Sequence, residues 1–340
     1  MRALTLIADR KLEPADVAPP GPPGECEVQV RVKAVALNHI DVWGWRGMAF
    51  AKRRLPLVVG AEASGEIAAV GARVEGFSPG QPVVMYGALT CGVCKACREG
   101  RDNLCENVGG IMGFHVDGFG REVLNVPARL AIPVPAGVSL RDAACAPIAF
   151  STVQHMLFDN AKLEPREWVL VHAGGSGIGT AAIQMAKAIG ATVITTVGDD
   201  AKAEKAKGLG ADHVINYRTD RFEGVVRKIT AKKGVDVVFE HVGAETFQGS
   251  LLCLKRGGRL VTCGATSGPS TTLNLMQLFQ QQYRIIGSFG ASMRNIRESL
   301  AKMASGLRPV IDTEVPLAEV ERGLARLESR QVFGKIIVVF

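Results

Sequence analysis

Two constellations in this 340-residue chain have the residue types and spacing to do chemistry. The first is W-V-L-V-H-A-G-G-S-G-I-G-T-A-A-I-Q-M-A-K-A-I-G, from Trp168 to Gly190. Trp168 to His172 is an apolar run suited to a buried parallel strand. Gly174, Gly175, Ser176, Gly177, Ile178 and Gly179 then make a tight turn. Ala181, Ala182, Ile183, Met185, Ala186 and Ile189 recur at helical spacing, and Gly190 closes the helix. A strand, a glycine turn and a small-residue helix form a dinucleotide site. Backbone amides can approach a pyrophosphate, and the helix N-terminus supplies partial positive charge. Ser176 stands where a strict G-x-G-x-x-G has its second glycine.

The second constellation is Cys91, Cys94, Cys97 and Cys105, spaced C-x2-C-x2-C-x7-C. Four thiolates on one short lobe match tetrahedral zinc and leave no position open for water, so the metal is expected to be structural. Two disulfides are the competing reading, disfavoured in a reducing compartment. Cys26, Cys145, Cys253 and Cys263 sit alone in apolar contexts and read as small buried hydrophobes.

The length suits two domains. Residues 1 to about 128 look strand-rich, with E-V-Q-V-R-V-K-A-V at Glu27–Val35 alternating at period two. Further strand signals lie at Leu57–Gly71 and Gln81–Tyr86, and turn residues punctuate throughout. This pattern predicts a partly closed β-barrel-like domain. From about residue 150, strands at Trp168–His172, Thr192–Val197, His213–Tyr217, Val235–Glu240, Arg259–Gly264 and Tyr283–Ser288 alternate with helices at Ala201–Leu209, Phe222–Thr230 and Thr246–Leu254. That alternation predicts an α/β doubly wound parallel sheet. Helical patterns at Ile296–Ala304 and Leu317–Glu328 precede a last strand, Lys335–Phe340, expected to return to the first domain.

The net charge is +7, and the one dense basic run is Lys52-Arg53-Arg54. It reads as a solvated loop or as a contact to substrate or cofactor phosphates. No aromatics interleave with basic residues, so no nucleic-acid partner is expected. No apolar run approaches the ~20 residues of a membrane span, and the first ten residues lack a signal-peptide core, so a cytoplasmic protein is expected.

Taken together, the chain resembles the medium-chain dehydrogenases/reductases over essentially its whole length. The resemblance is carried by G-A-E at Gly60–Glu62, the four-cysteine lobe, the glycine turn, L-G-A-D-H-V-I-N-Y at Leu209–Tyr217 and F-G-K at Phe333–Lys335. It implies a GroES-like catalytic domain built from residues 1–149 and 289–340, with its zinc lobe at 91–105. It also implies a central Rossmann dinucleotide-binding domain at 150–288. The alcohol dehydrogenases of this family carry a catalytic zinc, but here its three ligand positions fall on Asn38, Ala61 and Ile148, which cannot build a zinc site. One structural zinc and no catalytic zinc are therefore expected.

A-L-N-H-I-D is similar to the quinone oxidoreductase branch. F-E-H-V-G-A-E-T-F, T-C-G-A-T-S-G and R-I-I-G-S are similar to the enoyl-CoA reductases. Carboxylating members follow that last motif with histidine; here Phe289 follows, which implies simple reduction. The expected activity is hydride transfer to an activated C=C or a quinone, on a small substrate with CoA thioesters among the candidates. The alternatives are an alcohol or carbonyl oxidoreductase, and a non-catalytic cofactor- or RNA-binding relative. The resemblance places Asn38, His39, Asp41, Trp45 and Tyr86 toward substrate, with Asn38, His39 and Tyr86 as catalytic candidates. It places Lys202, Tyr217, His241 and Lys335 with the glycine turn on the cofactor; for His241 a structural role stands beside this one. Val197 occupies the position where many NAD enzymes carry a ribose-binding acid. Gly198, Lys202 and Tyr217 resemble NADPH-using quinone reductases, whereas Asp199 and Asp200 argue for NADH; NADPH is the preferred expectation. A homodimer or homotetramer is implied, extended through the last strand of the parallel sheet.

Overall fold

The computed structural model describes residues 1–47 and 53–340, in two compact units. One unit is Met1–Ser151 with Ala291–Phe340, the other Thr152–Gly290.

The first unit opens with β1 (Arg2–Ala8), β2 (Lys11–Asp16), β3 (Glu27–Ala36), β4 (Leu57–Val58), β5 (Ala63–Val70), β6 (Pro82–Met85), β7 (Val123–Pro127) and β8 (Ala131–Pro133). The alternation in β3 works as its sequence demands. Val28, Val30 and Val32 enter the core while Arg31 and Lys33 face water. From Ala34 to Ala36 every residue is buried, because the strand there has neighbours on both faces. β3 pairs antiparallel with β5 and with β7, which makes it the spine of a partly closed barrel. Leu6, Ile67, Met85, Phe119 and Ile132 fill the interior. A short helix, His39–Trp45, leaves β3 directly. A π-helical turn at Ala146–Phe150 ends this part of the unit.

The second unit is a six-stranded parallel sheet of β9 (Trp168–Val171), β10 (Thr192–Val197), β11 (His213–Asn216), β12 (Val235–Glu240), β13 (Leu254–Thr262) and β14 (Arg284–Gly287). Its order is β11-β10-β9-β12-β13-β14, the doubly wound arrangement. The order reverses at β9 and β12, where such sheets bind their ligands beyond the strand C-termini. β13 begins five residues earlier than its apolar pattern suggests. Leu254 belongs to the core, and the glycines at 257 and 258 lie inside the strand rather than before it. A helix at Leu275–Gln281 has no sequence signal of its own, because it buries none of its residues.

The chain then returns to the first unit with the helix Met293–Ala304, β15 (Ile311–Pro316), the helix Val320–Glu328 and β16 (Lys335–Val339). β16 lies antiparallel to β3, with Val338 opposite Val35. No helix among the described residues is long and apolar enough to cross a membrane.

Candidate active site and metal centre

The four lobe cysteines converge. Their sulfurs all lie within 4.8 Å of one another. Cys91 to Cys105 is 3.6 Å, and Cys91 to Cys97 and Cys94 to Cys105 are 4.0 Å. Four sulfurs about 2.3 Å from a central zinc stand about 3.8 Å apart, so this cage fits the ion. All eight cysteines are unpaired. The Val93 and Cys94 amides pull the Cys91 thiol down to about 6, which favours the thiolate a metal needs. Of the isolated cysteines, Cys145 and Cys253 are buried as expected, whereas Cys263 is only half-buried and Cys26 is exposed beside the start of β3.

The three positions Asn38, Ala61 and Ile148 gather around a residue that their own chemistry does not reveal, Glu62. Its carboxylate is fully buried. Oε1 accepts from the Ile148 and Ala149 amides at 2.5 and 3.0 Å, both on the π-helical turn. Oε2 accepts from Asn38 Nδ2 at 2.8 Å and from Lys335 Nζ at 2.9 Å. Lys335 also donates to Leu37 O at 2.9 Å and Asn38 Oδ1 at 2.6 Å, so its three ammonium protons are spent. The lysine of F-G-K is thus buried in its own unit, with its ammonium held by Leu37, Asn38 and Glu62. Asn38 Nδ2 donates a second time to Ala36 O, which leaves its amide fully engaged. Asp41 Oδ2 takes the Asn38 N–H at 2.8 Å; burial lifts this carboxyl to about 6 against the pull of Asn38 and Lys335.

His39 is half-buried at the start of the same helix, and Trp45 is buried at its end beneath the Arg10 guanidinium. Tyr86 is buried, and its hydroxyl donates to Ala291 O at 2.8 Å; burial pushes its pKa well up, so it holds its proton. Arg53 of the basic run pairs with Asp9, and Lys52 lies outside the described residues.

In the second unit, the chain leaves β9 through His172 and Ala173 into the glycine turn. Ser176 sits at φ −77° as the N-cap of the helix Gly177–Ala188, its Oγ accepting from Gly179 N at 2.9 Å. The missing second glycine is therefore a cap, a role serine fills well. Gly179 is required by packing: a Cβ there would stand 2.2 Å from Ala173 O. Val197, Gly198 and Tyr217 come together at the end of β10, and Lys202 follows on the helix Asp200–Gly208. Tyr217 N donates to Val197 O, and its hydroxyl covers Gly198, where a Cβ would come within 2.6 Å. His241 is buried and its Nε2 bonds to His172 O at 2.9 Å.

Residues 24–136 match the alcohol dehydrogenase GroES-like domain, and residues 177–305 match the zinc-binding dehydrogenase family. The chain belongs to the medium-chain dehydrogenase/reductase superfamily. This dehydrogenase/reductase is 33% identical to the quinone oxidoreductase of Salmonella typhimurium, over 94% of this chain and 93% of that protein. It is 33% identical to the acryloyl-coenzyme A reductase of Metallosphaera sedula, over 93% of each. A solved structure described as an NAD-dependent alcohol dehydrogenase superposes with a TM-score of 0.94 at 41% identity, covering 100% of both chains. The protein is an oxidoreductase of the quinone and enoyl reductase branch. Membership of the superfamily implies a nicotinamide cofactor, and the turn fits one. The opening amides of the helix Gly177–Ala188 have no intrahelical partner, and the N-cap side chain satisfies only that of Gly179.

Proposed function

We propose that this medium-chain dehydrogenase/reductase reduces an activated C=C bond or a quinone with NADPH, without a catalytic zinc. The observation that carries this is the buried cluster of Glu62, Lys335 and Asn38. Around it the three zinc-ligand positions hold asparagine, alanine and isoleucine, none of which supplies a zinc ligand. Bound nicotinamide would supply the hydride from its C4. Adding that hydride to an enone or enoyl thioester spreads charge into an enolate, which hydrogen-bond donors can hold without a Lewis acid. Of the catalytic candidates, Asn38 and Tyr86 have their polar groups committed within the protein and act as positioning residues. The printed activities of two relatives, quinone oxidoreductase and acryloyl-coenzyme A reductase, are of this substrate class.

NADPH is favoured because β10 ends in Val197 and the nearby acids are occupied. Asp199 Oδ1 caps the following helix at Lys202 N, 2.8 Å, and Asp200 accepts from Asn216 at 2.9 Å. Lys202, whose ammonium lies 4.0 Å from Asp199 Oδ2, and Tyr217 stand near the end of β10, where we place the 2′-phosphate. A second reading, an NAD-linked alcohol or carbonyl oxidoreductase, is favoured by the likeness to the NAD-dependent alcohol dehydrogenase structure. Crotonaldehyde separates the two, since it offers both C=C and C=O. Incubation with each reduced nicotinamide is expected to give butyraldehyde, faster with NADPH. Crotyl alcohol as the product would establish the second reading, and faster turnover with NADH would overturn the cofactor assignment.

We further infer a homodimer through β14, the edge of the parallel sheet. An unpaired strand edge invites a second copy, and Leu275, Met276 and Phe279 on the neighbouring helix are 60 to 66% exposed. Light scattering on the eluted protein is expected to give twice the 36.1 kDa chain mass or a multiple of that dimer; a monomer would exclude this arrangement. Eight unpaired cysteines suit a reducing compartment, and we place the protein in the cytoplasm.

A further inference from the structure

A buried polar chain lies beneath the glycine turn and takes no part in the function described so far. It runs through Glu240, Ser250, His172 and Thr196, each at most 2% exposed. Glu240 ends β12. Its Oε1 accepts from the Val242 and Gly243 amides at 2.6 and 3.0 Å, and Thr246 Oγ1 reaches both its oxygens. Burial works against the charge on this carboxyl, but the Val242 and Gly243 amides and the Thr246 and Ser250 hydroxyls all donate to it and favour its ionised form. Burial likewise pushes the His172 imidazole down to about 4, so the ring is neutral near pH 7.

With the carboxylate ionised and the ring neutral, these contacts have one consistent order of protons. An ionised carboxylate only accepts, so the Ser250 hydroxyl donates to Glu240 Oε2 at 2.8 Å. Ser250 Oγ must then accept from His172 Nε2–H, 2.8 Å away. The other ring nitrogen, Nδ1, becomes an acceptor and takes the Thr196 hydroxyl proton at 3.2 Å. The Thr196 oxygen is left to accept, and it receives the Ala173 N–H at 3.1 Å. The Thr196 carbonyl takes the next amide, Gly174 N, at 2.8 Å. Thr196 therefore holds both amides by which the chain enters the turn. Ala173 needs holding: it is a non-glycine residue at φ +47°, a strained conformation that persists only where its surroundings enforce it.

We propose that Thr196, oriented by the neutral Nε2–H tautomer of His172, is a positioning residue that holds the glycine turn in its dinucleotide-binding shape. Glu240 sets the proton order from the far end. The proposal rests on the turn binding a nicotinamide dinucleotide.

The test compares Thr196→Val, which keeps the shape but removes the hydroxyl, with Thr196→Ser, which keeps the hydroxyl. Dissociation constants for NADPH and NADH are measured by titration, with thermal midpoints alongside. Thr196→Val strands the Ala173 N–H and is expected to weaken the preferred cofactor about tenfold. Thr196→Ser is expected to recover most of that loss. Ser250→Ala breaks the chain at its other end, is expected to weaken binding about threefold, and serves if the valine variant does not fold. Nitrogen-15 spectra of the wild type are expected to show His172 protonated at Nε2 alone. Equal affinity for the valine and serine variants, lowered thermal midpoints with wild-type affinity, or a proton on Nδ1 would each overturn the proposal. If the wild type binds neither nucleotide, the cofactor reading itself fails and the positioning role falls with it.

Discussion

Lys335→Met is expected to destabilise the first unit by about 3–5 kcal/mol, because it leaves the buried Glu62 carboxylate without its cation. Methionine matches the lysine stem in length, so the loss reports charge rather than volume. The Lys335 and Glu62 side chains are only 3% and 0% exposed, so water cannot substitute. The two amides from Ile148 and Ala149 and the Asn38 amide remain, but they were arranged for an ion already neutralised. The loss is read from denaturant unfolding, with hydrogen exchange along β3 and β16 to assign it to this unit. Adding Glu62→Gln to the same chain is expected to restore a large part, since the unpaired charge is then gone. A loss under about 1 kcal/mol would place the pair in the class of surface salt bridges and contradict the burial described above.

Cys97→Ser is expected to take the zinc content from one ion per chain to near none and to release the lobe between residues 91 and 105. Structural zinc contributes about 10–16 kcal/mol of apparent binding energy in small modules, far more than this lobe can supply by packing. Ala96 is its one buried apolar side chain, while Val93 and Leu104 are more than half exposed. The effect should spread along one route. Asp102, inside the lobe, accepts from Met293 N at 3.0 Å, at the start of the helix Met293–Ala304. Metal analysis with hydrogen exchange is therefore expected to show lost protection in the lobe and at that helix start, and little change in the parallel sheet. A lobe that keeps its protection after losing the metal would show that the cage is dispensable.

Much of this protein is legible in residue types and spacing. The four cysteines specify their own cage, because a short segment with ligands at C-x2-C-x2-C has few ways to arrange them other than around one ion. The period-two valines of β3 and the apolar runs of β9, β10 and β12 specify the two sheets, because burying one face or both leaves a direct mark on composition. The glycine turn stands out through residues that close internal packing requires, and its serine proves to be a helix cap.

Partnership between distant buried polar groups left no such mark. Glu62 stands in an apolar stretch as one charge among many. Nothing local says that Lys335, 273 positions later, will neutralise it, or that a π-helical turn will point two amides at it. The F-G-K lysine could reach outward or inward on sequence grounds; in the fold its ammonium meets Leu37 O, Asn38 Oδ1 and Glu62. Tyr86 and Asn38 carry groups able to do chemistry, yet the fold commits those groups to Ala291, Ala36, Glu62 and Lys335. His172 and Thr196 read as strand residues until the helix Ala244–Cys253 and β12 bring Ser250 and Glu240 to their side. Which groups are present and which elements carry them follows from local pattern. Which polar groups are spent on one another follows from the folding of distant elements together, because a buried hydrogen bond is satisfied by whatever the fold brings within about 3 Å.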